Sequence, residues 1–169
     1  MKLKVKVLLL REGINLPSII KKGDWIDLEA AASCKIKSMF SRTENKSARV
    51  NDLIYYIPLG VAMELPKGFE AIVVSRSSTP KNYGIMCPNS FGVIDNTYCS
   101  CDDEWKYPAI GLKNTSICPG DRICQFRIQL SQKATFLQKL KWFLSSGIRI
   151  QKVKKLKGKK RGGFGSTGK

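Results

Sequence analysis

The chain opens on an alternation. Leu3, Val5 and Val7 are interleaved with Lys2, Lys4 and Lys6, and the stretch then turns continuously apolar through Leu8, Leu9 and Leu10. A period of two marks a strand with one face turned to a core. Val/Ile-rich stretches recur at 57–63, 70–75, 108–112 and 122–130. They are divided by Pro58-Leu59-Gly60, Leu65-Pro66-Lys67-Gly68 and Cys118-Pro119-Gly120, strings that favour turns because proline fixes φ and glycine accepts positive φ. This pattern predicts an all-β domain, a barrel or sandwich of short strands. Two segments fit it poorly. Residues 37–56 are polar and basic and read as an exposed excursion between strands. Residues 134–145 place Phe136, Leu137, Leu140, Phe143 and Leu144 at i, i+1, i+4, i+7 and i+8, which predicts a short basic amphipathic helix with its apolar face laid on the barrel.

From Lys152 to Lys160 the chain is lysine-dense, and Arg161 to Lys169 contains one aromatic and four glycines. Such a tail cannot bury itself and is expected to stay flexible until a ligand orders it. The organisation that follows is a β-barrel domain over 1–150 and a basic linker with a glycine-rich arm over 151–169.

Composition narrows the chemistry. At 169 residues and 43% hydrophobic content, the chain suits one domain with a full core. No apolar run is long enough to span a membrane, and the charged N-terminus is unlike a signal peptide, so a cytoplasmic protein without a membrane is expected. The six cysteines (Cys34, Cys87, Cys99, Cys101, Cys118 and Cys124) are then expected to be reduced. The chain has no histidine, which removes Ser-His and Cys-His nucleophile activation, so hydrolysis would rest on carboxylates, metal and fixed donors. Thirty Lys+Arg against thirteen Asp+Glu give +17, a field that draws polyanions.

Several strings carry candidate chemistry. Gly163-Phe164-Gly165-Ser166-Thr167-Gly168-Lys169 imitates the start of a phosphate-binding P-loop, but no helix follows the lysine to supply N-terminal amides. What remains sensible is an arm that wraps phosphates with backbone N–H groups and the hydroxyls of Ser166 and Thr167, while Phe164 stacks on a base. Arg76-Ser77-Ser78, followed by Lys81 and Gly84, collects anion donors in what reads as a loop. Asn89 to Tyr98 presents an aspartate, Asp95, three residues ahead of a tyrosine. Gly120-Asp121-Arg122-Ile123-Cys124-Gln125 is a tight turn into a strand.

Taken in order, these strings resemble the trimeric dUTPase family, whose five motifs can all be placed. Gly23-Asp24-Trp25-Ile26-Asp27-Leu28-Glu29-Ala30-Ala31 is similar to the first. A rival at Asp52-Leu53 lacks the paired alanines. Arg76-Ser77-Ser78 resembles the second, Gly92-Val93-Ile94-Asp95 with Tyr98 the third, Gly120 to Gln125 the fourth, and Arg161 to Gly168 the fifth. Pro58 to Pro66 and Asp103-Glu104-Trp105 look closest to the dUTPases of low-GC Gram-positive bacteria and their phages. One departure stands out: Cys99-Ser100-Cys101-Asp102 intervenes after Tyr98, where the family has a glycine before an acidic residue.

The resemblance implies a jelly-roll-like barrel with a flexible C-terminal arm and one short helix, assembled as a homotrimer. Each active site would be lined by two subunits and closed by the arm of the third. It further implies Mg²⁺-dependent hydrolysis of dUTP to dUMP and pyrophosphate, with Asp95 as general base and holder of the 3′-hydroxyl. Tyr98 would pack under the sugar, and Asn89 with Gly92, Val93 and Ile94 would read uracil. Arg76, Ser77, Ser78 and Gln125 would bind phosphates. Arg161, Phe164, Gly165, Ser166 and Thr167 would close over the nucleotide. Magnesium would be held mainly by the triphosphate, with Asp27 and Gln125 reaching it through water. The enzymatic alternative is a dCTP deaminase-like activity. Another is a phage-type regulatory protein that binds a protein partner through 37–56 or 133–147. Nucleic-acid binding is disfavoured because the aromatics are not interleaved with the lysines.

Overall fold

A computed structural model describes residues 1–19, 23–42 and 50–163. In chain order the elements are β1 (Leu3–Leu9), β2 (Ile26–Glu29), β3 (Cys34–Ile36), α1 (Met39–Arg42), a 3₁₀ turn (Val50–Leu53), β4 (Tyr55–Pro58), β5 (Val61–Glu64) and β6 (Phe69–Ser75). They continue with α2 (Thr79–Tyr83), β7 (Ile85–Met86), β8 (Phe91–Asp95), β9 (Lys106–Gly111), β10 (Thr115–Ile117), β11 (Arg122–Leu130), α3 (Phe136–Phe143) and β12 (Ile148–Lys152). The strands form small sheets in the orders β12-β1-β5, β10-β3, β2-β11-β6-β8 and β4-β9-β7. The expected all-β architecture is present. Part of the 37–56 excursion, residues 43–49, lies outside the described residues.

The alternation read at the N-terminus becomes β1, whose Leu3, Val5 and Val7 are buried while Lys6 pairs with Glu64 on β5. β12 adds parallel to β1, Leu3 opposite Ile148 and Val7 opposite Lys152, so the two ends of the barrel chain lie in one sheet. β11 is the longest strand. Its register shifts between Arg122 and Cys124 where it pairs with β2. Such a bulge lets two successive side chains face inward, and both Ile123 and Cys124 are fully buried.

At the centre, Trp105, Tyr107, Phe69 and Phe126 are the largest side chains without solvent exposure. Trp105 meets Phe126 edge-on with ring centroids 5.4 Å apart. The hydroxyl of Tyr107 is satisfied by Ser75 Oγ at 2.5 Å, which gives a physical role to the residue just before Arg76. All six cysteines are free thiols.

The predicted helix forms, but it faces the other way from the expectation. A capping box fixes its start, Thr135 accepting from the Gln138 N–H and the Gln138 side chain accepting from the Thr135 N–H. Gln138 lies over Gly68, and Trp142, one turn on, packs against Phe69 at 5.3 Å. With that face on the barrel, Phe136, Leu137, Leu140, Phe143 and Leu144 point to solvent, from 41% to 82% exposed. The sequence pattern locates an apolar arc but cannot tell which of two apolar faces meets the core, and here the tryptophan decides. Two one-turn helices, α1 and α2, also form where loops were expected.

Phe126 fills the centre of this core, so Phe126→Ala is expected to lower unfolding stability by about 3–5 kcal/mol, read from denaturant melts.

Candidate active site

The site begins with a tight turn. Ser90 N–H bonds to Cys87 O at 3.3 Å and Phe91 N–H to Asn89 O at 2.6 Å, with Ser90 itself at φ 62°. A non-glycine residue at positive φ is uncommon and strained, and the bonds of this turn hold it in place ahead of β8. The Cys87 thiol donates to Asn89 Oδ1 at 3.0 Å, orienting that amide.

β8 then runs antiparallel beside β6, Phe91 opposite Val74 and Asp95 opposite Glu70. Its last residue closes an Asx turn. Asp95 Oδ1 accepts from the Thr97 N–H at 2.8 Å and the Thr97 hydroxyl at 2.5 Å. Tyr98 N–H returns to Asp95 O at 3.2 Å, and Tyr98 donates its hydroxyl to Glu104 O at 3.1 Å.

These residues wall a cavity of about 340 Å³ whose lining includes Asn89, Gly92, Val93, Ile94, Asp95, Tyr98 and Arg161. The first six are adjoining residues of one hairpin, but Arg161 arrives from the far end of the chain, and its guanidinium pairs with Asp95 Oδ2. Burial pushes the Asp95 carboxyl up, but the two Thr97 donors and Arg161 outweigh it and hold the group below its ordinary value. Burial raises the Tyr98 phenol, as do the charges of Asp103 and Glu104, so it sits in the wall as a neutral ring.

The remaining predicted residues form a second patch. Arg76 Nε donates to Asp27 Oδ1 at 2.8 Å, and Arg122 Nη1 to Asp27 Oδ2 at 3.2 Å. Gln125 lies directly opposite Asp27 across the β2–β11 pair. Ser77 is exposed, and Ser78 precedes the first residue of α2, with Thr79 buried and bonded to Ile123 O at 2.7 Å. Behind this patch the paired alanines find their reason. Ala30 exchanges backbone bonds with Gly120 and Asp121 at 2.9 Å, so the first and fourth motifs are stitched together.

The two patches stand at opposite ends of β6. Asp95 faces Glu70, and Arg76 follows Ser75, six residues along. At about 3.3 Å per residue that is roughly 20 Å within one chain.

Sequence reasoning overlooked several wall residues. Glu104, Trp105, Lys106, Tyr107 and Pro108 line the cavity opposite the hairpin. Thr97 had a signal, since Asp-x-Thr is an Asx-turn string. Asp103 had none, because its partners are backbone groups: its carboxylate accepts from Ser100 N–H at 2.9 Å and from Arg161 N–H and Gly162 N–H at 3.4 Å each. Phe164, Gly165, Ser166 and Thr167 lie outside the described residues.

No family model matches the chain. It is, however, 41% identical over 166 residues to a prophage-derived deoxyuridine 5′-triphosphate nucleotidohydrolase of Bacillus subtilis, covering 98% of this chain and 99% of the relative. The chain belongs to the dUTPase family. Solved dUTPases share its jelly-roll β fold. That of Streptococcus mutans superposes with a TM-score of 0.59 at 20% identity over 75% of this chain and 96% of its own. A dUTPase mutant from phage phi11 of S. aureus, whose structure describes a structural Mg(II) ion, gives 0.60 at 16% over 78% and 94%. The chain is thus a dUTPase of the Gram-positive or phage type, and the resemblance read from its motifs holds.

Within this dUTPase, a carboxyl held below its ordinary value near 3.8 contributes stability above that pH and loses it as pH falls through the folded value. Arg161→Ala is expected to move the Asp95 titration midpoint up, followed by carbon-13 carboxyl shifts; an unmoved midpoint would leave Thr97 as the whole cause.

Proposed function

We propose that the cavity around Asp95 takes the deoxyuridine part of dUTP and that Asp95 is the base that activates the attacking water. The reaction of the dUTPase family is hydrolysis of dUTP to dUMP and pyrophosphate. The observation that carries the assignment of roles is the Asp95 carboxylate at the cavity wall, oriented by Thr97 and kept ionised. An ionised carboxylate can take the proton of a water held against it, and no histidine competes for the role. The water oxygen attacks the α-phosphorus as the bond to the bridging oxygen breaks, and pyrophosphate leaves. Tyr98 forms the floor under the sugar and excludes a 2′-hydroxyl. Asn89 and the backbone of Gly92, Val93 and Ile94 read the uracil edge.

Arg76, Ser77, Ser78 and Gln125 hold the phosphate chain, Ser77 at the bridging oxygen where charge develops. Among the described residues no group of three or more acidic, cysteine or histidine side chains could cage a metal ion. Both Asp27 oxygens are engaged by Arg76 and Arg122, so Asp27 and Gln125 fit Mg²⁺ through water while the triphosphate supplies its direct ligands. When bound, the ion shields the charge of the phosphate chain.

The separation of the two patches supports a homotrimer in which the Asp95 cavity of one chain meets the Arg76 patch of another. The arm begins on its own chain at Arg161 to Gly163. The six residues beyond extend at most about 20 Å, enough for Phe164, Gly165, Ser166 and Thr167 to close a neighbouring subunit's active site. Free thiols throughout suit a reducing cytoplasm. The exposed apolar face of α3, within 133–147, favours a second role in binding a protein partner alongside catalysis.

Pyrophosphate release with Mg²⁺ from dUTP, dCTP, dTTP and UTP in parallel is expected to be confined to dUTP, and deamination of dCTP would favour the alternative activity. Asp95→Asn should cut turnover by about 10²–10⁴-fold with dUTP affinity largely kept, measured by isothermal titration; near-normal turnover would remove Asp95 as the base. Mixing inactive Asp95→Asn and Arg76→Ala chains after co-refolding should restore activity at about a quarter of the sites, since random assortment pairs an intact Asp95 with an intact Arg76 that often. No restoration would mean that each chain builds its site alone.

A further inference from the structure

The turn into β8 joins two sheets of the barrel. Cys87 directly follows β7, whose Ile85 and Met86 pair with Gly111 and Ile110 of β9, while Phe91 opens β8 beside β6 in another sheet. Between them, Cys87 to Ser90 form a four-residue turn closed by Ser90 N–H on Cys87 O at 3.3 Å, with Pro88 fixing φ at its second position. The main chain of Asn89 is thereby set, but its side chain is not. Rotation about the last bond of an asparagine is soft and nearly two-fold, so the backbone does not decide which end of the amide faces the cavity. One contact decides it. Cys87 is 6% exposed and directs its thiol to Asn89 Oδ1 at 3.0 Å, and both residues line the Asp95 cavity. With Oδ1 taken, the polar atom left is Nδ2, a donor only, and it has no partner among the described residues.

We infer that Cys87 is a positioning residue that locks the Asn89 amide with its amino end toward the cavity, and that this lock selects a pyrimidine carrying oxygen rather than an amino group at ring position 4. Uracil presents a carbonyl there and cytosine an amine. An N–H donor pairs with the first; against the second it leaves two donors face to face and unsatisfied. The same amide turned over would present Oδ1 and favour cytosine, so the direction of the preference depends on which end the thiol holds. The lock rests on the proposed reading of uracil by Asn89, and Cys87 acts on the base through that side chain. Burial raises the Cys87 thiol, so it keeps at neutral pH the proton that it donates. A thiol is a weak donor, and the preference it secures is accordingly moderate.

Isothermal titration of the full chain with the non-hydrolysable α,β-imido analogues of dUTP and dCTP tests the lock. In Cys87→Ala the amide can present either end, so the ratio of the two dissociation constants should fall by about three- to tenfold in favour of the cytosine analogue. KM for dUTP should rise within the same range with kcat changed less, because the base contact serves binding. Cys87→Ser, which restores a donor, should recover most of the ratio. In Asn89→Ala there is no amide to orient, and adding Cys87→Ala should cost nothing more. An unchanged ratio in Cys87→Ala, or an equal further loss in the double variant, would overturn the lock and leave Cys87 as a packing residue. Should Asn89→Ala alone change neither constant, the reading of uracil by Asn89 falls, and the selection with it. Should the unsubstituted chain bind neither analogue, the proposed function falls and nitrogen-15 spectra decide on the lock. There the side-chain amide signals of Asn89, identified by their loss in Asn89→Ala, should move in Cys87→Ala and return in Cys87→Ser; signals that stay in place overturn it. Should Cys87→Ala fail to fold, Cys87→Val fills the space without a donor and carries the same expectations.

Discussion

Strand β6 is paired on both sides, with β11 from Phe69 opposite Leu130 to Ser75 opposite Cys124, and with β8 from Glu70 opposite Asp95 to Val74 opposite Phe91. That double register decides what the molecule can do alone. Because side chains alternate, a slip of one residue would turn the Phe69, Ala71 and Val73 row out of the core, so the register is held by the packing of Trp105, Phe126 and their neighbours. Once it is held, Asp95 is placed at one end of β6 and Arg76 at the other. Under the proposed roles, the base and the phosphate donors lie too far apart in one chain to serve the same end of one nucleotide, and the strand pairing is then what calls for a second chain.

The parts legible in the sequence are those where a local rule maps directly onto geometry. The alternation at Leu3, Val5 and Val7 became β1, and the proline-glycine strings became turns. The hairpin from Asn89 to Tyr98 could be assigned because its residues are adjacent in sequence and in space. The parts that were not legible depend on partners far along the chain. The facing of α3 rested on Trp142 meeting Phe69, and nothing in its own periodicity distinguishes that face from the one bearing Phe136 and Phe143. Ile123 and Cys124 are both buried because of a bulge against β2, a feature of the pairing rather than of the strand. Asp103 belongs to the same class, since its partners lie 58 and 59 residues away.

The proposed mechanism uses a carboxylate where many hydrolases use imidazole, and the electrostatics of the cavity bear on that choice. In that proposed role the base must be ionised before it acts, and Thr97 and Arg161 favour the charged form of Asp95. The same donors weaken it as a proton acceptor, because each bond to Asp95 is strongest while the proton is absent. Arg161 is not built into the barrel but is carried on the segment after β12, whereas Thr97 belongs to the turn that Asp95 itself closes.

That arrangement also accounts for where negative charge is spent in a chain of net charge +17. Asp27 is shared between two arginines of the phosphate patch, Asp95 meets Arg161, and Asp103 takes the arm's amides. Each of these carboxylates holds donors of one of the two patches or of the segment that carries Arg161. The lysines of the linker have no such partners in these contacts, and their field acts at longer range, drawing a triphosphate toward the surface before the few fixed groups bind it. Attraction and placement are thus divided between different residues under the proposed function, and the fixed donors are held by aspartates that the strand register and the turn after Tyr98 bring into position.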